Sequence, residues 1–388
     1  MTNPSLQHKK HLFDIPDDIT YFNTASLSPS FKSVELAGID ALRKKSRPYL
    51  IPSSDFFDPV TELKHKFASI IDCDESNRVV TTPSVSYGLA TVANNIRLKS
   101  GDEIVLIEEQ FPSNYYIWKK LAQRFDAKIV TIKQPEDKLN CGKLWNDSIL
   151  EAITDKTAVV AMGQIHWSNG ILFDLKAIRK KTKDHNALLI VDGSQSIGAL
   201  PFSIKDIQPD ALVCAGYKWL FGPYGCAYAY YGSYFDGGNP IEENWSNRLH
   251  SENLKGLTNY QSKYKPLANR YAMGESGSFI YVKMQIEALN QVSKFKPEYL
   301  QDYCDSISKD ACNELQQLGF FINDSESRAK HLFGVELPEG LDSQRLKSVF
   351  QENNIYVSYR GNYLRLSCHL FNTKTDFERL VKAVKEVL

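Results

Sequence analysis

One lysine stands among aromatic and turn residues in the stretch "AGYKWLFGPYG", residues 215–225. This residue, Lys218, comes just after the apolar run "ALVCA", which is typical of a buried strand. A lysine side chain is normally solvated, and burial lowers its proton affinity because it disfavours the charged form. The neutral amine is a nucleophile that can form a Schiff base with an aldehyde. Lys218 is therefore a candidate catalytic residue.

A carboxylate ends the preceding apolar run. Asp192 closes the segment "LLIVD", and Gln195 follows three residues later. A buried carboxylate is unfavourable unless it meets a cation or hydrogen-bond donors. The pattern therefore predicts either a structural partner or a protonated ligand nitrogen beside Asp192.

Three further strand ends carry residues that could hold a ligand. Val85 and Ser86 open a predicted helix whose N-terminal N–H groups suit a phosphate, although an ordinary N-cap at Ser84 explains the same pattern. Phe111 follows a strand-like run, where its ring could stack on a planar ligand or pack in the core. The segment "QIHWSNG" ends a third strand with polar groups that could hydrogen-bond a ligand, namely His166, Trp167, Ser168 and Asn169. An aldehyde, a ring nitrogen, a ring face and a phosphate together describe pyridoxal 5'-phosphate, which the set predicts as the cofactor.

The elements that must position these residues alternate between strand and helix from about residue 60 to 235. Short apolar runs such as "TAVVAMG" and "ALLIV" are separated by segments of helical spacing. Near-continuous apolar strands joined by helices predict an α/β domain with a mostly parallel sheet covered on both faces. Ligands collect at the carboxyl ends of such strands, and Asp192 and Lys218 stand there.

The pattern changes after about residue 275, where a long helical stretch precedes the strand-like runs "IYVSYRG" and "YLRLSCH" and a terminal helix. We expect an N-terminal segment over 1–24 near the active site, a large cofactor-binding α/β domain over 25–275 and a smaller C-terminal α+β domain over 276–388. The polar, irregular stretch 234–278 is typical of an active-site or subunit-contact segment.

Composition argues against several classes of protein. The 388 residues include 46 basic and 46 acidic side chains, so no net field favours nucleic acid or an anionic membrane. The longest apolar runs are strand-length, and the start of the chain has no apolar signal-peptide core, which predicts a cytoplasmic protein. The seven cysteines include no CxxC pair and no spacing typical of a zinc site, so we expect reduced thiols and no metal.

The segments "VDGSQSIGALP" and "AGYKWLFGPYG" resemble the cofactor signature of class V aminotransferases, which are fold-type I pyridoxal phosphate enzymes. That family includes isopenicillin N epimerase-like, kynureninase-like and cysteine desulfurase-like proteins, and the resemblance extends from "YFNTASLSP" to "YLRLSCHLFNTKTDFERL". It implies that Lys218 carries the Schiff base, that Asp192 pairs with the pyridine nitrogen and that Gln195 bonds near the ring hydroxyl. The other implied contacts are phosphate binding by Val85, Ser86 and Tyr217, ring stacking by Phe111, and substrate binding by Arg365 and Asn23.

Arg365 matches the family arginine that binds the substrate α-carboxylate, and a guanidinium fork suits that group because it can bind it bidentately. Desulfurases carry a catalytic cysteine in a long loop before this arginine, whereas "VSYRGNYLRLS" reaches Arg365 without a cysteine. The resemblance also implies a homodimer with active sites at the interface, in which Asn269 and Arg270 are plausible contacts. Family members often donate a threonine to the neighbour's phosphate, and Ser276 or Ser278 would have to replace it here.

The resemblance favours an aminotransferase acting on an amino acid or amine. An epimerase or a Cβ lyase is the alternative, because these reactions share their first steps. A nucleotide-binding oxidoreductase would need a GxGxxG turn after the first strand, which the chain lacks. A catalytically silent protein could keep the fold, but the chain retains Lys218, Asp192, Gln195 and Arg365.

Overall fold

The structure, a computed structural model, describes residues 7–388. Its α-helices are Lys32–Lys45 (α1), Asp58–Ile70 (α2), Val85–Asn95 (α3), Ser113–Phe125 (α4), Cys141–Ala152 (α5), Leu175–Asp184 (α6), Ile204–Ile207 (α7), Tyr281–Val292 (α8), Pro297–Gln317 (α9), Ser343–Glu352 (α10) and Lys374–Lys385 (α11). Its strands are Thr20–Tyr21 (β1), Val79–Thr82 (β2), Glu103–Ile107 (β3), Lys128–Ile132 (β4), Thr157–Gly163 (β5), Leu188–Asp192 (β6), Ala211–Ala215 (β7), Ala227–Tyr231 (β8), Phe321–Ile322 (β9), Leu332–Glu336 (β10), Ile355–Tyr356 (β11), Ser358–Arg360 (β12) and Tyr363–Ser367 (β13).

The central sheet has seven strands in the order β2-β8-β7-β6-β5-β3-β4. Strand β8 runs antiparallel to both of its neighbours, and the other neighbouring strands are parallel. Six strands therefore run in one direction, and their carboxyl ends lie along one edge of the sheet. This arrangement confirms the predicted α/β fold with a mostly parallel sheet.

Apolar cores cover both faces of the sheet, and each strand contributes to both because its successive side chains point to opposite sides. In β6, Leu189 and Val191 join the apolar core on one face, which also contains Phe67 from α2. Ile190 joins the core on the other face, together with Trp118 from α4. These continuous apolar strands fix the sheet, so the loops at its carboxyl edge start from rigid positions.

The C-terminal part contains a four-stranded antiparallel sheet in the order β12-β13-β10-β9. Its core includes Leu332 and Leu364 from the strands and Leu300 and Leu380 from α9 and α11. The N-terminal segment joins this part, because β1 pairs with β11 and Asn23 forms a bridge with Ser367.

Helix α8 packs on α1 and α2, and its residues Val282, Ile286 and Leu289 belong to the core of the large sheet. The predicted boundary at 275/276 would assign this helix to the small domain. By packing, the large unit extends through α8, and the division into domains stays a prediction.

The stretch 234–278 is irregular, as expected, and its helical turns within this range are short 3-10 turns such as Leu254–Gly256 and Leu267–Tyr271. Side chains hold it in place: Asn244 Nδ2 donates to the carbonyl of Ala272 at 2.9 Å, and Arg270 donates to the carbonyl of Gly238 at 3.0 Å. Within residues 7–388, none of the helices combines the length and the apolar character that crossing a membrane requires.

Candidate active site

A cavity of about 250 Å³ opens at the carboxyl edge of the central sheet. Its walls come from the loops that follow β2, β3, β5, β6 and β7. The predicted site residues on these walls are Val85, Ser86, Phe111, Asp192, Gln195, Tyr217 and Lys218. The structure thus gathers seven side chains that are spread over more than 130 positions of the sequence.

Lys218 is only 7 % exposed, and its Nζ atom lies 5.5 Å from the centroid of the Phe111 ring and 5.9 Å from that of Tyr217. Burial lowers the pKa of this amine to about 8; the positive charges of Arg365 and Arg360 lower it too, while the negative charge of Asp192 opposes the shift. A substantial fraction of the amine is therefore neutral near pH 8 and can act as a nucleophile or a base.

A close backbone approach holds the lysine loop. The N–H of Gly216 donates to the carbonyl of Cys226 at 2.9 Å, and Gly222 donates to the carbonyl of Gly216 at 2.8 Å. A Cβ atom on Gly216 would lie only 2.9 Å from that Cys226 oxygen, so a larger residue would push the loop away from β8. The glycine therefore fixes where Lys218 leaves the sheet.

Asp192 ends β6, the strand next to the one that leads to Lys218. Its Oδ1 atom accepts a hydrogen bond from the backbone N–H of Ser194 at 3.0 Å. Burial raises the pKa of the Asp192 carboxyl, and the hydrogen bonds from Ser194 and the charge of Lys218 oppose this shift. A carboxyl group held in this way favours a cationic partner, as a protonated ring nitrogen would be.

Gln195 lines the cavity, but both polar atoms of its side-chain amide form hydrogen bonds within the protein. Its Nε2 atom donates to the carbonyl of Ala25 at 3.0 Å, and its Oε1 atom accepts from the indole of Trp219 at 2.9 Å. The backbone carbonyl of Gln195 lies 2.8 Å from Nε2 of His331, and burial lowers the pKa of that imidazole to about 4. The neutral ring donates there, and the network ties Gln195 to both the N-terminal segment and the small domain.

The first turn of α3 supports both interpretations of its sequence. Ser84 is an N-cap, because its hydroxyl accepts from the backbone N–H of Tyr87 at 3.1 Å. Val85 and Ser86 nevertheless line the cavity in the first helical turn, where backbone N–H groups lack intrahelical partners. The helix is thus capped at Ser84 and still presents donors suited to a phosphate.

Phe111 is 39 % exposed, so it is not a core residue, and its ring meets the edge of Trp167 at 5.4 Å. Trp167 also lines the cavity, and its indole donates to the carbonyl of Glu109 at 2.6 Å. Trp167 belongs to the strand-end segment "QIHWSNG", whose polar groups the sequence suggests as hydrogen-bond partners for a ligand.

The structure does not bring Asn169 to the cavity. Its side chain is fully buried, donates to Gln134 at 3.2 Å and accepts from the N–H of Ile171 at 3.1 Å. Its carbonyl accepts from Gly334 of β10 at 3.0 Å. Asn169 therefore fixes its own turn against the small domain. Trp167, two residues earlier, lines the cavity, whereas Asn169 does not.

Arg365 and Asn23 lie behind the Trp167 wall rather than on the cavity surface. Arg365 is 1 % exposed and donates to the hydroxyl of Ser26 at 2.7 Å and to the carbonyl of Trp167 at 3.2 Å. Asn23 accepts from the hydroxyl of Ser358, which lies 3.5 Å from the Arg365 guanidinium. The structure therefore joins the two predicted substrate residues in one hydrogen-bonded group.

The Arg365 guanidinium is incompletely satisfied, because its Nε atom is buried without a hydrogen-bond partner. Burial, together with the charge of Arg360, lowers the pKa of Arg365 to about 9. A buried donor without an acceptor is unfavourable, and a carboxylate could satisfy it.

All seven cysteines are free, and none of them lines the Lys218 cavity. Cys368 is fully buried in the small-domain core, where its thiol donates to the carbonyl of Lys330 at 3.8 Å. Cys304 packs beside it and donates to the Cys368 carbonyl at 3.7 Å. These thiols are packing groups of the core.

The residues on the cavity fit pyridoxal 5'-phosphate. The amine of Lys218 is buried and forms no ion pair within residues 7–388, and the Asp192 carboxyl beside it has a raised pKa. Phe111 is partly exposed at the cavity, and the first turn of α3, where backbone N–H groups lack intrahelical partners, also lines it. In this order, the four groups suit the aldehyde, the ring nitrogen, the ring face and the phosphate of the cofactor.

Comparisons with known proteins agree with this chemistry. The sequence model of the family described as aminotransferase class-V matches residues 50–380. The chain is 23% identical to a probable cysteine desulfurase of Borreliella burgdorferi, over 95% of this chain and 92% of the relative. It is also 23% identical to the hercynylcysteine sulfoxide lyase of Schizosaccharomyces pombe, over 97% of this chain and 96% of the relative.

Among solved structures, a variant of the cystine C-S lyase C-DES, with glycine covalently linked to its pyridoxal phosphate cofactor, superposes with a TM-score of 0.85. The two chains are 18% identical, and the match covers 98% of this chain and 100% of the other. At this identity the match shows a common fold.

Proposed function

The chain belongs to the class-V aminotransferase family, whose cofactor is pyridoxal 5'-phosphate, and from that premise we propose that it is an aminotransferase acting on an amino acid or amine. The observation that carries this proposal is the buried Lys218 amine, which has a lowered pKa and faces Phe111 across the cavity. Transamination needs a base that takes a proton from the substrate Cα and returns it to a neighbouring carbon, and an amine with a pKa of about 8 can do both.

When bound, the cofactor supplies an electron sink for the charge that develops at the substrate Cα. Asp192 would keep the ring nitrogen protonated, because a carboxylate favours a cation beside it. Val85, Ser86 and Tyr217 would hold the phosphate, and Phe111 would stack on the ring. Lys218 moves the proton at Cα.

Arg365 and Asn23 would orient the substrate acid beside Trp167. Arg365 has a buried Nε donor to offer, and Asn23 fixes Ser358 against the same guanidinium. Holding the carboxylate there would align the Cα–H bond with the base, and this alignment supplies much of the rate.

Elimination at Cβ is the second candidate. The hercynylcysteine sulfoxide lyase of Schizosaccharomyces pombe aligns with nearly the whole chain, and elimination from a sulfur-containing substrate needs no enzyme thiol. The absence of cysteines from the described walls of the Lys218 cavity is compatible with this reaction, whereas it argues against a desulfurase that stores a persulfide.

One experiment separates these reactions. The purified holoenzyme is incubated with ¹⁵N-labelled amino acids, with and without an added 2-oxo acid, and the nitrogen is followed by mass spectrometry. Transamination transfers ¹⁵N to the added oxo acid, whereas elimination releases labelled ammonium without needing it. Inversion at Cα without loss of nitrogen identifies an epimerase and overturns the proposal. The Lys218→Ala protein is the control for uncatalysed exchange.

We also propose that the enzyme is a cytoplasmic homodimer. Ser276 and Ser278 line a different cavity of about 490 Å³ that shares no residue with the Lys218 cavity, and a contribution from them to a neighbouring subunit's phosphate would give this segment a role in the dimer. The side chains of Asn269 and Arg270, which the sequence suggested as contacts to a partner, bind Lys64 and Gly238 of their own chain. The free thiols fit a reducing compartment.

A further inference from the structure

A second arginine stands beside Arg365. Arg360 is the last residue of β12, before the Gly361–Asn362 turn, in which Gly361 has a φ of +56°. Ser358 pairs with Arg365 across the hairpin, and Arg360 lies two residues beyond Ser358. Alternation along the strand therefore places both guanidinium groups on the same face of the hairpin.

The two guanidinium groups share their surroundings. Arg365 and Arg360 both donate to the hydroxyl of Ser26, at 2.7 and 3.4 Å. Their central carbons lie 5.6 and 5.4 Å from the centroid of the Trp167 ring, which forms part of the Lys218 cavity wall. Both charges also lower the pKa of Lys218, so both lie within electrostatic reach of the reacting amine.

No carboxylate balances this pair within residues 7–388. Arg360 donates to the backbone carbonyl of Tyr359 and to the hydroxyl of Ser26. Arg365 donates to a carbonyl and two hydroxyl groups. Two partly or fully buried cations side by side are unfavourable until anions arrive.

We propose that Arg360 and Arg365 together bind a substrate with two carboxylates, a dicarboxylic amino acid or the matching 2-oxo acid. Arg365 takes the α-carboxylate, and Arg360 takes the distal one. One guanidinium fork satisfies one carboxylate, so the second fork selects a second acid group. The choice of Lys218 as the reacting group rests on the function proposed above, but the binding of a diacid can be measured without turnover.

Two interpretations compete with this proposal. Arg360 could serve only to pack on Trp167, in which case no acid would depend on it. Alternatively, both arginines could clamp a single carboxylate, and then monoacids and diacids would lose affinity equally when Arg360 is changed. A comparison of acids that differ only at the distal end distinguishes the proposal from these two interpretations.

The test measures binding of glutarate and of pentanoate to the holoenzyme by isothermal titration calorimetry. The two probes have five carbons and no amino group, so neither can react. We expect glutarate to bind at least tenfold more tightly than pentanoate, because the second charge-assisted contact is present only in the diacid. Arg360→Gln should reduce glutarate affinity about 10- to 100-fold and leave pentanoate within about twofold.

Arg360→Lys should restore part of the glutarate preference, because it keeps the charge but not the fork. Arg43→Gln, which removes one exposed charge from α1, controls for net charge. Circular dichroism confirms that each variant is folded. Equal binding of the two acids by the wild type, or equal losses in Arg360→Gln, overturns the proposal. If the selectivity follows Arg360 but no transamination is found, the diacid site stands and the proposed function fails.

With an active enzyme, the same variants give a second readout. The ratio of kcat/KM for glutamate over glutamine should fall about 10- to 100-fold in Arg360→Gln, mostly through KM, because the distal carboxylate does not react. A loss confined to kcat and equal for both amino acids would instead assign Arg360 to the reacting centre and overturn its role in selecting the distal acid.

Discussion

The Nζ atom of Lys218 lies 5.5 Å from the centroid of the Phe111 ring, across the cavity at the carboxyl edge of the sheet. The pKa alone does not distinguish this lysine, because burial also lowers the pKa of Lys64 to about 8. Lys64 lies in a different cavity, where it donates to Asn77 and Asn269. Lys218 differs from Lys64 because it shares one cavity with the Phe111 ring, the Asp192 carboxyl and the N-terminus of α3.

Lys218→Ala should abolish turnover and the absorbance of covalently held cofactor, because the amine that binds the aldehyde is gone. Borohydride reduction of the wild type followed by peptide mass spectrometry should place the pyridoxyl group on Lys218. Lys64→Met is the matched control, since it removes a buried lysine of similar pKa from the other cavity. A pyridoxyl group on Lys64, or retained cofactor absorbance in Lys218→Ala, would show that the assignment is wrong.

Asp192→Ala should weaken cofactor binding and slow removal of the substrate Cα proton. The carboxylate no longer keeps the ring nitrogen protonated, and we expect the exchange of the Cα proton with solvent deuterium to fall about 10²- to 10³-fold. Proton NMR of the substrate in deuterium oxide measures this exchange. Asp192→Asn keeps the side-chain shape, so a normal rate in that variant would contradict an electrostatic role.

The rate at which cofactor-free protein takes up pyridoxal phosphate should rise with pH through about 8 and then level off. The neutral amine reacts, and burial together with Arg365 and Arg360 depresses its pKa while Asp192 opposes the shift. From pH 7 to pH 9 the neutral fraction rises roughly tenfold for a pKa near 8. Stopped-flow absorbance measures the rate. A rise that continues unchanged towards pH 10.5 would mean that the amine titrates like a solvated lysine.

Strand periodicity made the large sheet and the positions of Asp192 and Lys218 predictable. The runs "LLIVD" and "ALVCA" are continuous and apolar, so they form buried strands wherever their partners lie. Phe111 could not be decided in this way, since a core ring and a cavity ring have the same sequence pattern. Its 39 % exposure decides it.

Turn geometry explains what the sequence did not show. After β5 the chain turns through Gly170, with a φ of +79°, and this turn sends Trp167 to the cavity and Asn169 to β10. Spacing alone does not determine which polar residue of a turn faces a ligand. The run "IYVSYRG" has the pattern of one strand, whereas β11 and β12 belong to different sheets, so the pattern does not show that Arg360 lies beside Arg365 in the β12–β13 hairpin.

The proposed homodimer implies that activity depends on protein concentration. Light scattering on purified protein at micromolar concentration should give twice the chain mass of 44.1 kDa. Mixing inactive Lys218→Ala with an inactive Ser276→Ala/Ser278→Ala protein should restore activity if the serines act across the interface, because one site of the mixed dimer is then complete. A fully active monomer would contradict both the dimer and the role of the serines.

The last prediction concerns sulfur chemistry. Storing a persulfide requires a mobile, reactive thiol near the substrate, and the hairpin turn before Arg365 contains Gly361 and Asn362 instead of a cysteine loop. Cys368 is fully buried and packs beside Cys304 in the small-domain core, so it cannot reach a substrate without local unfolding. We expect negligible persulfide formation from cysteine. Cys368→Ala should keep its activity and lose only about 1 kcal/mol of stability from the smaller core side chain.

Persulfide on the protein is measured by thiol-specific labelling and mass spectrometry after incubation with cysteine, and released sulfide is measured in parallel. Sulfide release without a protein persulfide remains compatible with elimination, since that reaction uses no enzyme thiol. Cys304→Ala removes the neighbouring buried thiol and serves as the matched control for core packing. Persulfide that forms readily on the wild type and disappears in Cys368→Ala alone would show that this core opens during the reaction, and that the packing role assigned to Cys368 is wrong.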